Sequence, residues 1–272
     1  LPGTLNRMEQ YIFTDQMGKS IELGSYPQRI ISLVPSQTEL LFYLGLGSNI
    51  VGRTKFCIHP TNKIKLVPEI GGTKTPRLND IIALNPDLVI GNKEENEINS
   101  IHEIEKVIPV WMSDIKSVDD ALEMIKGIGL LTNTSQRAEL LIKRITEMLI
   151  QLDQLKEKTK NKSCLYLIWK RPYMGAGAET FVNDMIKRCG FTNIIEYKDR
   201  YPQLELEEIN KLSPDYIFLS SEPYPFKKKN VEELEYLIPG SKIKLVDGEM
   251  FSWYGNRMLK SIPYLNELIT NL

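Results

Sequence analysis

The sequence predicts an α/β protein of two similar lobes joined by one long helix. Three observations predict it. The pattern Leu78-x-x-Ile81-x-x-Leu84-x-Pro86-Asp87-x-x-Ile90 recurs without a gap as Leu206-x-x-Ile209-x-x-Leu212-x-Pro214-Asp215-x-x-Phe218. Around each copy, short apolar runs alternate with helical patterns, as parallel strands joined by crossover helices do. Between the copies, a single helical periodicity runs from about Ser135 to Glu157. A length of 272 residues is large for one hydrophobic core and comfortable for two.

The elements follow in order. Tyr11 to Leu23 reads as a hairpin turning at Asp15-Gln16-Met17-Gly18. The first lobe opens with a strand from Arg29 to Val34. Pro35-Ser36-Gln37 ends it, with Ser36 expected to cap a helix carrying Leu40, Leu41 and Leu44. Gly45 and Gly47 stop that helix. A strand from Asn49 to Thr54 follows, then a helix from about Leu78 and a strand from Leu88 to Asn92. A helix around Glu97 to Lys106, a strand from Val110 to Met112 and a helix from Val118 to Leu131 complete the lobe.

The connecting helix places Ala138, Leu141, Ile142, Ile145, Met148, Leu149, Leu152 and Leu155 at three- and four-residue steps. Its expected length is ~35 Å. Lys156 to Lys162 reads as a polar exit. The second lobe restarts with a strand from Ser163 to Trp169 and a loop containing Gly175 and Gly177. A helix through Phe181, Met185 and Ile186 ends at Gly190, and Asn193 to Glu196 reads as the next strand. The second repeat copy follows. In both copies proline blocks the helix and an apolar strand comes next. Lys227, Lys228 and Lys229 read as a solvated loop.

These elements divide the chain into an N-terminal extension and hairpin (1–24), an N-terminal lobe (25–133), a connecting helix (134–160) and a C-terminal lobe (161–272). Each lobe is Rossmann-like. Ligands of open α/β sheets lie beyond the carboxyl ends of the strands. The loops after Val34, Thr54, Asn92, Met112, Trp169, Glu196, Ser220 and Val246 are therefore expected to face a ligand cleft between the lobes.

Composition excludes several function classes. A net charge of −1 offers no footprint for nucleic acid. Cys57, Cys164 and Cys189 have no CxxC spacing, which argues against a disulfide scaffold, an iron–sulfur cluster or a structural zinc. No apolar run is long enough to span a membrane. No signal pattern appears at the N-terminus, and Met8 is a candidate native start, which would make the protein cytoplasmic.

The strand-end loops carry the chemistry. Phe56, Trp111, Trp169, Tyr173, Tyr201, Phe251, Trp253 and Tyr254 concentrate there, as for a large, flat, partly apolar ligand. Asn92, Lys93, Glu94, Glu95, Lys170, Arg171, Glu222 and Glu249 add polar groups. Cys57 and His59 stand two apart, so in extended chain they share a face that suits a soft metal. The competing reading is a small buried thiol and a loop imidazole, and no metal site is assigned. No nucleophile elbow, Walker loop or dinucleotide fingerprint is present, and no catalytic set is found.

Several motifs carry a family resemblance: the run from Arg29 to Glu39 (RIISLVPSQTE), Val51-Gly52, the run from Leu84 to Ile90 (LNPDLVI), Tyr201-Pro202-Gln203, and Leu212-Ser213-Pro214-Asp215. From Tyr11 onward the chain resembles the periplasmic cobalamin-binding proteins of ABC importers, within the helical-backbone class of siderophore, haem and cobalamin receptors. The resemblance implies a monomeric, non-enzymatic receptor without an intrinsic cofactor that carries cobalamin or another corrinoid to an ABC importer permease. It implies a periplasmic or membrane-attached extracytoplasmic location. Phe56 and Tyr201 fall at two corrin-holding aromatic positions. A third, tryptophan in that subfamily, falls at Thr73, for which Trp111, Trp169, Phe251 or Trp253 would compensate. The expected ligand-binding set is Ser36, Gln37, Phe56, Asn92, Trp111, Trp169, Tyr173, Tyr201, Glu249, Phe251 and Trp253, with His59 as an axial contact to the ligand's metal. Family members dock on the permease through one glutamate per lobe. Glu207 matches in the second lobe. Asn79 takes the position in the first, so Asp80 beside it is the expected partner.

Three rival readings remain at this point. One is a ferric-siderophore or haem receptor of the same class. Another is a cytosolic enzyme or chaperone handling a metal cofactor. The third is a two-lobed interaction protein without a small ligand.

Overall fold

The computed structural model describes residues 11–272, and Met8 lies outside them. The chain forms two compact units. Unit 1 runs to Asp114 and adds Leu122–Ile142; unit 2 comprises Ile115–Ala121 and Lys143–Leu272.

Unit 1 begins with the expected hairpin. Strands β1 (Tyr11–Thr14) and β2 (Ser20–Leu23) pair antiparallel, with Tyr11 opposite Leu23. The buried Asp15 carboxylate closes the turn by accepting the N–H groups of Met17 at 2.9 Å and Lys19 at 2.8 Å. Its other oxygen accepts Met112 N–H at 3.2 Å, which ties the hairpin to the sheet edge.

The remaining elements of unit 1 are β3 (Ile30–Ser32), α1 (Pro35–Tyr43), β4 (Ile50–Arg53), α2 (Thr61–Ile64), α3 (Leu78–Ala83), β5 (Leu88–Asn92), α4 (Ile98–Glu105), β6 (Val110–Ser113), most of α5 (Val118–Leu131) and the first part of α6 (Ser135–Asp153). The parallel sheet has the order β4-β3-β5-β6. All five residues of β5 are buried, as befits a strand covered on both faces. Ile31, Leu33, Ile70, Ile81, Val89 and Ile104 form its core.

Ser36 does not cap α1. Val34 is the N-cap, Pro35 takes the first helical turn where its missing N–H costs nothing, and Ser36 is carried into the helix and buried. Helix α6 ends at Asp153 rather than near Glu157, giving about 28 Å. Leu155 N–H turns back to the Leu152 carbonyl at 3.0 Å, a tightened final turn that stops the helix.

Unit 2 continues with α7 (Lys156–Thr159), β7 (Ser163–Trp169), β8 (Tyr173–Gly175), α8 (Phe181–Arg188), β9 (Thr192–Asn193), β10 (Gln203–Leu204), α9 (Leu206–Leu212), β11 (Tyr216–Ser220), α10 (Lys228–Leu237), β12 (Lys242–Val246), α11 (Gly248–Ser252) and α12 (Met258–Thr270). The sheet order is β10-β8-β7-β11-β12, with β9 beside β7. Strands β7, β9, β11 and β12 are parallel, but β8 and β10 run antiparallel, so this sheet is mixed. Leu165, Leu167, Ile209, Ile217, Leu219 and Leu234 form its core.

Four expectations need correction here. The supposed loop after Trp169 turns at once into β8. The strand expected over Asn193 to Glu196 stops at Asn193, whose amide donates to the Ala176 carbonyl and Asn183 Oδ1, both at 2.8 Å. The lysine triplet is helical: Lys227 is the N-cap of α10 and Lys228 and Lys229 open its first turn. Glu249 and Phe251 lie on α11 rather than in a loop.

The repeat adopts one conformation twice. Asn85 and Ser213, each just before the proline, take left-handed backbone angles, φ 45° and 46°. Each ends its helix, α3 or α9, and turns the chain into the Pro-Asp step.

Candidate functional site

At the strand ends of unit 1, buried polar side chains interlock. Gln37 Nε2 donates to Ser113 Oγ at 2.5 Å, and Asn92 Nδ2 donates to the same hydroxyl at 3.0 Å. Asn92 Oδ1 accepts the N–H groups of Glu94 and Glu95 at 2.9 and 3.1 Å, which shapes the loop after β5. Asn96 Nδ2 donates to the Thr73 carbonyl at 3.0 Å. Thr38 Oγ1 lies 2.7 Å from Ser32 Oγ and 3.1 Å from Cys57 Sγ. Ser36, Gln37, Asn92 and Thr73 are all buried. The network ties α1, β5 and β6 together through Ser113, while the buried Gln37 Oε1 has no hydrogen-bond partner in it.

Cys57 is buried, and desolvation pushes its thiol up despite hydrogen bonds from Thr38 and Thr54. A thiol held protonated is a poor metal ligand. His59 is half-buried. No group of three metal-binding side chains occurs among the described residues.

The aromatic set divides sharply. Trp111 is 1% exposed and its ring stacks on Gly127 of α5, where a Cβ would sit 3.1 Å from the indole. Phe251 is equally buried, packed against Tyr166 at 5.0 Å and Phe218 at 6.1 Å. Trp253 and Tyr254 are also buried. Phe56, by contrast, is 51% exposed, with the Lys55 ammonium 5.0 Å from its ring centre. Trp169 is 40% exposed and meets Tyr224 edge-on at 5.6 Å. Tyr173 and Tyr201 are half-buried. Strands β8 and β10 bring these two tyrosines to one sheet edge, where Gly175 N–H donates to the Pro202 carbonyl at 3.1 Å.

The cations at the strand ends are mostly neutralised within their own unit. Lys93 pairs with Asp114 at 2.8 Å. Lys170, only 10% exposed, pairs with Glu233 of α10. Arg257, which is buried, pairs with Glu249 at 2.8 Å and covers the Trp253 ring at 4.9 Å.

A carboxylate missing from the expected ligand set organises unit 2. Glu222 Oε1 accepts Trp253 Nε1 at 2.9 Å and Ser252 Oγ at 3.0 Å. Burial raises its pKa, and the nearby Glu249 and Asp247 charges add to the rise. Glu222 thereby fastens α11 to the end of β11. Sequence reading placed it on the rim, but its partners come from thirty residues away and left no local signal.

The two repeat copies open with matched helix starts. Asn79 and Glu207 are both exposed, whereas Asp80 pairs with Arg77 and Glu208 pairs with Lys198 at 2.5 Å.

Residues 30–236 match the family described as periplasmic binding protein. The chain belongs to that family. A vitamin B12-binding protein of Vibrio campbellii is 29% identical over 71% of this chain and 70% of its own length. An ABC transporter substrate-binding lipoprotein of Bacillus subtilis, itself uncharacterised, is 25% identical over 94% of this chain and 84% of its own. Among solved structures, the petrobactin-binding protein of Bacillus subtilis superposes with a TM-score of 0.80 at 17% identity, covering 96% of this chain and 99% of that one. The vitamin B12-binding protein of Vibrio cholerae gives 0.76 at 18% identity, covering 90% and 98%. A haem-binding protein of Roseiflexus gives 0.76 at 24% identity, covering 89% and 97%. These structural likenesses establish the two-lobed α/β fold. As a periplasmic binding protein, the chain is a non-enzymatic substrate-binding component of an ABC importer, which excludes the enzyme reading. No described helix is long and apolar enough to cross a membrane.

Proposed function

We propose that this periplasmic binding protein captures a corrinoid of the cobalamin type and delivers it to its importer's permease. The observation that carries the reading is the pairing of exposed strand-end aromatics with strand-end lysines that carboxylates neutralise, Lys93 and Lys170, which leaves few cations there. Phe56 and Trp169 are about half exposed, each with one neighbour on its ring, while Lys93 and Lys170 are each held by a carboxylate. Flat apolar surface with few polar contacts suits a corrin ring. A polyanionic ferric siderophore requires several unpaired cations, since a buried charge must be matched. The B12-binding relatives support the same ligand.

Ser36, Gln37 and Asn92 act in this reading from beneath, by shaping the loops that meet the ligand. Phe56, Trp169, Tyr173 and Tyr201 supply the contact surface, and Glu249 and Trp253 are positioned through Glu222 and Arg257. His59 is the axial contact to the ligand's metal. Glu207 and Asp80 face the permease. The lipoprotein relative supports a membrane-attached position outside the cytoplasm.

The test is calorimetric and spectral titration of the purified chain with cyanocobalamin, haem and a ferric catecholate siderophore. One-to-one binding of cyanocobalamin, weakened about tenfold by Phe56→Ala or Trp169→Ala, is the expected result. Saturable binding of haem or siderophore with no heat from any corrinoid would overturn it.

A further inference from the structure

The tight turn joining β7 to β8 carries Lys170, Arg171 and Pro172 between two aromatic residues of the proposed contact surface, Trp169 and Tyr173. Its two cations behave differently. Lys170 points inward and is spent on Glu233. Arg171 is exposed, and its backbone sits in the left-handed region at φ 67°, an uncommon conformation for a side chain of this size. Lys170 and Arg171 thus sit in different surroundings, the one 10% exposed against Glu233 and the other on the surface. Arg171 lies within electrostatic reach of both Glu233 and the Tyr173 hydroxyl. Two cations thus share one carboxylate, and the turn keeps one positive charge. Beside it, the half-buried Tyr173 offers a phenolic O–H, protonated at neutral pH as any tyrosine is.

A guanidinium with a neighbouring phenol donor, flanked by an exposed indole, matches one chemistry. It recognises a singly charged oxyanion attached to a flat apolar body, because the planar fork binds two oxygens at once and the rings take the body. We infer that Arg171, aided by the Tyr173 hydroxyl, is a specificity-determining residue that reads an oxyanion substituent on the ligand. The inference rests on the corrinoid reading for its most direct form, in which the oxyanion is the phosphodiester of a complete corrinoid. A carboxylate on a porphyrin edge is the other source of the same chemistry.

The experiment compares wild type, Arg171→Gln and Arg171→Lys, each checked for an unchanged thermal midpoint, in titrations with cyanocobalamin and with dicyanocobinamide, which has the corrin but no phosphodiester. Arg171→Gln should weaken cyanocobalamin about tenfold or more and leave cobinamide within about twofold, with Arg171→Lys between. Added salt should weaken cyanocobalamin binding to wild type more than to Arg171→Gln. An equal loss with both corrinoids, or no loss with either, would overturn the inference while leaving the corrinoid reading intact. If wild type binds neither corrinoid, that reading fails on its own. Haem and its dimethyl ester then decide the inference: a loss in Arg171→Gln confined to the free acid supports it, and an equal or absent loss overturns it.

Discussion

Asp215 Oδ2 accepts the first backbone N–H of the neighbouring strand, donated by Ser163 at 2.8 Å. Its counterpart Asp87 acts just before β3 in unit 1, accepting Arg29 N–H at 3.0 Å and Gln28 N–H at 2.7 Å. The repeated Pro-Asp step therefore has a structural purpose. Proline ends the helix, and aspartate clamps the start of the adjacent parallel strand, β3 or β7, in register with β5 or β11. Replacing either aspartate with alanine should cost about 1–2 kcal/mol in denaturant unfolding. The Ser163 backbone and hydroxyl bonds, with help from Lys162, lower the Asp215 pKa. A lowered folded-state pKa contributes stability above the unfolded value, and that stability is lost as pH falls through the folded value. The carboxylate is largely solvated, so screening keeps the pH-dependent part small. Asp215→Asn should flatten the acid limb of the stability profile only slightly, and an unchanged stability of Asp215→Ala would refute the clamp.

Glu222 titrates in the opposite sense. Burial raises its folded-state pKa, so its contribution is full below the unfolded value near ~4.3 and is lost as pH rises through the folded value. The bonds from Ser252 and Trp253 both fall on Oε1, which leaves Oε2 for the proton. Glu222→Gln keeps an acceptor for Trp253 and Ser252 but cannot ionise. Its thermal midpoint relative to wild type should therefore climb between pH 4 and pH 8. Glu222→Ala strands the buried indole N–H and should destabilise by about 1–3 kcal/mol at every pH in that range. A constant offset between Glu222→Gln and wild type across the range would show that the carboxyl does not titrate there.

Gly177 lies where β8 gives way to the segment leading to α8. A Cβ built on it would meet the Lys198 carbonyl oxygen at 2.1 Å, a backbone atom that cannot swing aside. Gly177 N–H also donates to the Arg200 carbonyl at 2.8 Å, so the two chain segments are in direct contact just before Tyr201. Gly177→Ala should cost about 1–3 kcal/mol and displace Tyr201. Amide exchange at residues 198–202 should accelerate in the variant. Unaltered exchange there would mean that the segment does not depend on this close approach.

Much of this architecture was legible in the chain. Strands β5 and β7 and helix α5 begin and end where periodicity and breakers place them, because each is long enough to show its period. Strands β8 and β10 were not legible. Three and two residues cannot display alternation, and their pairing depends on residues about thirty positions apart. The aromatics misled for a related reason. Trp111 lies inside β6 and Phe251 on α11, where α5 and the Tyr166–Phe218 pair cover them, whereas Phe56 and Trp169 stay exposed at strand ends. Sequence locates an aromatic along a strand; only the packed neighbours decide whether its face is bare.

The repeat also separates the two expected docking residues. Aligning its copies sets Asn79 against Glu207 and Asp80 against Glu208. Glu207 is exposed, whereas Asp80 is engaged by Arg77, as Glu208 is by Lys198. A carboxylate already paired offers a permease arginine less than one that is exposed, since the existing pair must be broken or shared. Charge reversal should therefore act unequally. Glu207→Lys should reduce binding to the detergent-solubilised or liposome-reconstituted permease about tenfold without altering ligand affinity. Asp80→Lys should reduce it less, and Asn79→Glu, which restores a glutamate at the matched position, should strengthen it. Equal losses from Asp80→Lys and Glu207→Lys, with no gain from Asn79→Glu, would show that Asp80 serves as the full docking partner despite Arg77.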